Sequence, residues 1–154
     1  MSKLILCLFA LALTAPAQDL ISKKSLSLGA IKVIVAGAED EAAKRNVQLT
    51  ICVVDENGTL LFIQKADGAG LNTLNYCQKK ARHSAFFRAP SKNAADQLKA
   101  GNISIITAPN VFPNQGGLPI KVDGQTIGAI ATSGAASEID EACAQAGIDA
   151  YFKK

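Results

Sequence analysis

Tryptophan is absent from this chain, and histidine and methionine occur once each, as His83 and Met1. Aromatic residues make up only 5% of the total, so a ring-lined nucleic-acid groove has little to be built from, and no Lys/Arg cluster with interleaved aromatics takes its place. Paired cysteines or histidines at short spacing are missing, which removes a structural zinc site. No Gly-x-Ser-x-Gly turn accompanies His83, so a nucleophile triad lacks its usual setting. Gly116-Gly117 is not followed by Lys-Ser or Lys-Thr and is not a phosphate loop. The net charge of +3 is small and includes Lys3.

At the N-terminus, Lys3, the apolar stretch Leu4 to Leu13 and the small residues Ala15 and Ala17 read as a secretory signal peptide over residues 1–17, with the mature chain starting near Gln18. The apolar stretch is shorter than the about 20 residues that span a bilayer, so no stable membrane insertion is expected after cleavage. The protein is expected in the periplasm or outside the cell. Residues 18–154 fit a single domain. Cys7 leaves with the leader; Cys52, Cys77 and Cys143 remain, an odd set that permits at most one intrachain disulfide, and they are read as buried thiols.

Periodicity gives the element order. Ser25 or Ser27 caps a helix in which Leu28, Ile31, Val35, Ala38 and Ala42 recur at helical spacing, ending near Asn46. Gln48 to Asp55 and Thr59 to Lys65 flank the turn Glu56-Asn57-Gly58 as a hairpin, with Leu49, Ile51 and Val53 on one face and Cys52 and Val54 on the other. A helix follows from about Asn72 to Phe87, with one stripe of Leu74, Cys77, Ala81 and Ala85 and a second of Tyr76, Lys80, His83 and Phe87. Pro90 ends it, and Ser91 caps a shorter helix through Ala100. Ser104 to Thr107 is a brief strand candidate, and Ala108 to Pro119 an ordered loop. A second hairpin turns at Asp123-Gly124, and Ser137 with Asp140 resembles a capping box for the last helix. The sum is an α/β (α+β) fold: a five-stranded, largely antiparallel sheet with helices on both faces.

The runs VVDENGTLLFIQKADGA (Val53 to Ala69), KKARHSAFF (Lys79 to Phe87) and GGLPIKVDGQTIGAIATSGA (Gly116 to Ala135), with DEACAQAGI behind the last, resemble the GlcG/HbpS-like heme-binding proteins, also described as a heme-degrading domain family. The likeness covers essentially the whole mature chain. It implies a profilin-like fold, a homo-oligomer and heme as cofactor. Two positions depart from the family pattern: His83 stands where many relatives have Thr, and Ala131-Thr132 replaces a common Gly-Val pair.

Heme iron is held by His, Cys thiolate, Met or Tyr. With one His and no Met in the mature chain, a bis-His or His-Met site within one subunit is excluded, and the lack of Cys-x-x-Cys-His excludes covalent attachment. His83 is then the candidate axial ligand to heme iron, with Tyr76 on the same stripe; the alternative is an ordinary surface or interface histidine. Lys80 and Arg82, with Lys79 and Arg88, are candidate partners for the propionates, as is the start of the last helix around Ser137; the same residues also read as solvated charges and a simple cap. Val111 and Phe112 are candidates to cover a porphyrin face or to plug the core. Function is read as exported heme binding, for scavenging, storage or slow degradation. The alternatives are a heme-free enzyme or accessory protein acting on a small organic acid, and a redox or ligand sensor accessory.

Overall fold

The computed structural model describes residues 21–152; the signal peptide expected at 1–17, with Cys7, lies outside them. Ser27 opens the first helix, α1 (Leu28–Lys44), by accepting the Ala30 N–H on its Oγ at 3.1 Å. The buried stripe is Ile31, Ile34, Val35, Ala38 and Ala42, while Leu28, in the first turn, stays 58% exposed. Among the described residues no helix is long and apolar enough to cross a membrane.

Strands β1 (Thr50–Asp55) and β2 (Leu60–Lys65) form the first hairpin. Asp55 closes it by accepting the N–H groups of Asn57 and Thr59 on Oδ1 at 2.9 and 2.8 Å, and Gly58 takes the left-handed φ of 75°. Helix α2 (Thr73–Phe87) and the short α3 (Lys92–Lys99) follow, then β3 (Gly117–Val122), β4 (Gln125–Ser133) and α4 (Ser137–Phe152). Asp123 and Gly124 join the second hairpin with φ of 50° and 77°, the doubly positive turn that matches strand twist.

The sheet has four strands in the order β2-β1-β4-β3, every neighbour antiparallel. The fifth strand expected at Ser104 to Thr107 is instead a 3-10 turn over Ile103–Thr107. This segment spends its polar groups on itself: Ser104 Oγ donates to Asn102 Oδ1 at 2.6 Å, and Thr107 Oγ1 to the Ser104 carbonyl at 2.7 Å. None of its residues is buried, so nothing rewards extension into a ladder.

Helices cover both faces. Helices α1 and α4 pack together on one side, where Ile34, Ile51, Val53, Ile120 and Ile130 build the bulkier core. On the other side α2 lies on Cys52, Val54, Ala129 and Ala131 through its own Cys77, Ala81 and Ala85. These small residues let backbones approach closely: a Cβ on Gly117 would sit 2.5 Å from the Lys80 carbonyl oxygen. Ser91 does not cap α3 through its side chain; its Oγ accepts the Gly117 N–H at 2.9 Å, tying the α2–α3 corner to the start of β3.

Candidate functional site

Tight packing of α2 leaves one flank of the helix beside the Ala108 to Pro119 loop, and there the aromatic and basic residues converge. Tyr76, 43% exposed, sets its ring edge-on to Phe112 with centroids 5.3 Å apart. Lys79 places its Nζ 5.5 Å from the Phe112 centroid, a cation over a ring face. Arg82, one turn further, donates from Nε to the Gly58 carbonyl at 3.2 Å. Lys79, Arg82, Asn110, Val111 and Phe112 line a cleft of about 270 Å³. Through Arg82 and Asn110 it adjoins a second, more open one of about 490 Å³ that reaches Phe86 and the first hairpin turn.

His83 lies beneath this loop and is only 3% exposed. Its ring stacks on Phe87 at 4.6 Å, and its Nδ1 accepts the Phe112 N–H at 3.1 Å. Accepting at Nδ1 puts the proton of the neutral ring on Nε2, so neither nitrogen offers a free lone pair in this arrangement. Burial lowers the imidazole pKa below its ordinary 6.5, with the Asn110 backbone pulling the other way. A lowered pKa means that the unfolded chain takes up the proton first as the medium is acidified. Stability contributed by neutral His83 is therefore complete above about pH 6.5 and declines as pH falls from there toward the folded-state value. Thermal melts of wild type between pH 7.5 and 5 should show this decline, and His83→Asn, which does not titrate, should show a shallower one.

Lys80, expected beside His83 as a propionate partner, is instead buried at 1% exposure. Its Nζ donates to Asp140 Oδ2 at 2.7 Å and to the Thr132 carbonyl at 3.2 Å. Both side chains of the pair are shielded, so its charge is committed inside the fold. Burial raises the Asp140 carboxyl above its usual range, opposed by Lys80 and by the backbone N–H groups of Ala135 and Gly134. Ser137 stands at the start of α4, away from the cleft lining, and the Ala135 N–H there already donates to Asp140 Oδ1 at 3.0 Å. The expected Ser137–Asp140 capping box does not form: Ser137 is already the first residue of the helix, and Asp140 reaches past it to the Ala135 N–H, filling the position where an external anion was expected. Sequence reasoning noted the Ser137–Asp140 spacing but had no signal that the carboxylate would also meet Lys80.

Cys52, Cys77 and Cys143 are all free and buried. Cys52 and Cys77 share the α2 side of the sheet, while Cys143 lies with Ala42 and Leu49 on the other. Burial pushes the Cys77 thiol well above its normal value and Cys143 up to about 11, so neither is disposed to serve as a thiolate ligand. Among the described residues, no three His, Cys, Asp or Glu side chains gather to hold a metal ion.

Residues 26–149 match the family described as haem degrading protein HbpS-like. Protein GlcG of Escherichia coli K12 is 34% identical over 112 residues, covering 73% of this chain and 84% of GlcG. The crystal structure of a double mutant of Streptomyces reticuli HbpS superposes with a TM-score of 0.78 at 27% identity, over 90% of this chain and 95% of that one. The structure of a PduOC:heme complex superposes with a TM-score of 0.76 over 82% of this chain and 95% of that one; at 24% identity this is a likeness of fold. The family model spans nearly all of the described residues, and this chain belongs to the HbpS-like family.

Proposed function

We propose that this protein is an exported, homo-oligomeric heme-binding protein that scavenges or stores heme, with the tetrapyrrole lying against Phe112. The observation that carries the reading is the composition of the cleft. Val111 and Phe112 line the cleft as apolar surface together with the cations Lys79 and Arg82, a combination that suits a flat apolar ring bearing carboxylates. Family membership and the solution of a chain of this fold in complex with heme support the same ligand class.

The residues present fit the outer parts of heme better than its iron. Lys79 and Arg82 would meet the propionates and Phe112 the ring, whereas His83 can reach iron only after the Phe112 N–H leaves its Nδ1. The Tyr76 phenol, half exposed beside Phe112, needs no such change. Bound heme would supply an iron centre able to bind a further ligand or exchange an electron. The cleft's 270 Å³ falls just below the roughly 300 to 1,000 Å³ of sites that enclose a small molecule. One chain then covers one face of the ring, and a second copy closes the other. Half-exposed Tyr76, Phe86 and Phe87 provide apolar surface for that contact.

Titration of the purified chain from Gln18 onward with hemin should give a saturable Soret change. The double variant Lys79→Glu/Arg82→Glu should bind at least about tenfold more weakly, a loss of about 1.4 kcal/mol. Absence of any saturable change in wild type sinks the heme reading. Export is read separately, by N-terminal sequencing of protein recovered outside the cytoplasm, which should begin near Gln18 rather than Met1.

A further inference from the structure

We propose that His83 is a positioning residue, a latch that holds the Asn110 to Phe112 segment over α2 and so shapes the cleft, rather than the ligand of the heme iron. The ligand in this proposal rests on the heme reading, and its geometry on the contact between His83 and the loop. His83 Nδ1 accepts the Phe112 N–H at 3.1 Å, so the bond fixes the backbone of the residue whose ring forms the cleft wall. The imidazole is itself immobilised, nearly enclosed and stacked on Phe87. Phe112 in turn touches both Tyr76 and Lys79, so a displaced Phe112 removes the aromatic surface and leaves Lys79 without its ring. Pro113 follows Phe112 directly and has no amide to donate, and the Phe112 amide is spent on a side chain of α2. An iron ligand at Nδ1 would have to break this bond and leave a half-buried N–H without a partner.

His83→Asn and His83→Leu separate the two roles. Asparagine keeps a side-chain acceptor near the place of Nδ1 but is not an imidazole; leucine keeps the volume and loses the acceptor. In the ligand-free protein, amide exchange at Phe112 should stay close to wild type in His83→Asn and accelerate roughly tenfold in His83→Leu, the size expected for one hydrogen bond. With hemin, His83→Asn should keep the wild-type Soret maximum and an affinity within about threefold, and His83→Leu should bind about tenfold more weakly. Metal-free protoporphyrin should follow the same order, because the latch acts on the loop and not on iron.

Three results would overturn the proposal. One is a His83→Asn variant that keeps Phe112 protection yet loses the hemin Soret band. Another is a His83→Leu defect seen with hemin and absent with protoporphyrin. The third is unchanged Phe112 exchange in His83→Leu. If wild type binds neither porphyrin, the heme reading fails while the exchange measurement still decides the latch.

Discussion

Asp140→Ala should cost about 3 to 5 kcal/mol of stability, because it strands the Lys80 ammonium inside the protein. The Lys80 side chain is 2% exposed, and its remaining partner would be the Thr132 carbonyl at 3.2 Å. The Asp140 carboxylate also accepts the Ala135 N–H, so it joins α2 to the start of α4, while the Asp140 backbone carbonyl, which the substitution keeps, accepts the Thr132 hydroxyl at 2.6 Å. For a domain of this size, the loss corresponds to a Tm drop on the order of 10 °C. The double variant Lys80→Met/Asp140→Leu should recover most of it, since an apolar pair of similar volume avoids desolvating two charges. Urea unfolding of wild type and the two variants makes the comparison. A loss below about 1 kcal/mol in Asp140→Ala would place the pair with surface ion pairs and refute the assignment.

The second large effect is expected where α1 crosses α4. A Cβ on Gly147 would lie 2.5 Å from the Ile34 carbonyl oxygen, and one on Gly37 would lie 2.4 Å from the Ala150 Cβ. The two helices touch through glycine on each side, and backbone cannot yield as a flexible side-chain tip can. Gly147→Leu should therefore destabilise by about 3 kcal/mol or more, through overpacking that forces the helices apart. Gly29 provides the opposite case. It is exposed in the first turn of α1, where an added Cβ would meet only Ser27 Oγ, at 3.8 Å, so Gly29→Ala should gain about 0.5 to 1 kcal/mol from helix propensity. Thermal melts of the two variants should move in opposite directions. A stabilised Gly147→Leu would show that the crossing is looser than its geometry.

Much of this fold is legible in the chain because its signals are local. The cap at Ser27, the alternation through Ile51 to Val54, the Asp123-Gly124 turn and the break at Pro90 each depend on neighbours in sequence, and each is seen in the structure. The 3-10 turn over Ile103–Thr107 was not legible, since a short run with three β-prone residues, Ile105, Ile106 and Thr107, looks alike whether or not a sheet edge is free to receive it. Lys80 was misplaced for a related reason. Helical spacing put it with Tyr76 and His83, but its direction was decided by a carboxylate 60 residues away.

The sequence by itself determined the family, the order of helices and hairpins and the inventory of one histidine, three cysteines after residue 17 and no internal methionine that limits any iron chemistry. Tertiary structure decided what those residues are free to do. It turned Lys80 inward onto Asp140, left Lys79 and Arg82 beside Phe112, and occupied His83 Nδ1 with a loop amide. Local conformation follows from short-range sterics and capping, whereas the availability of a charge or a lone pair depends on which distant group arrives to use it.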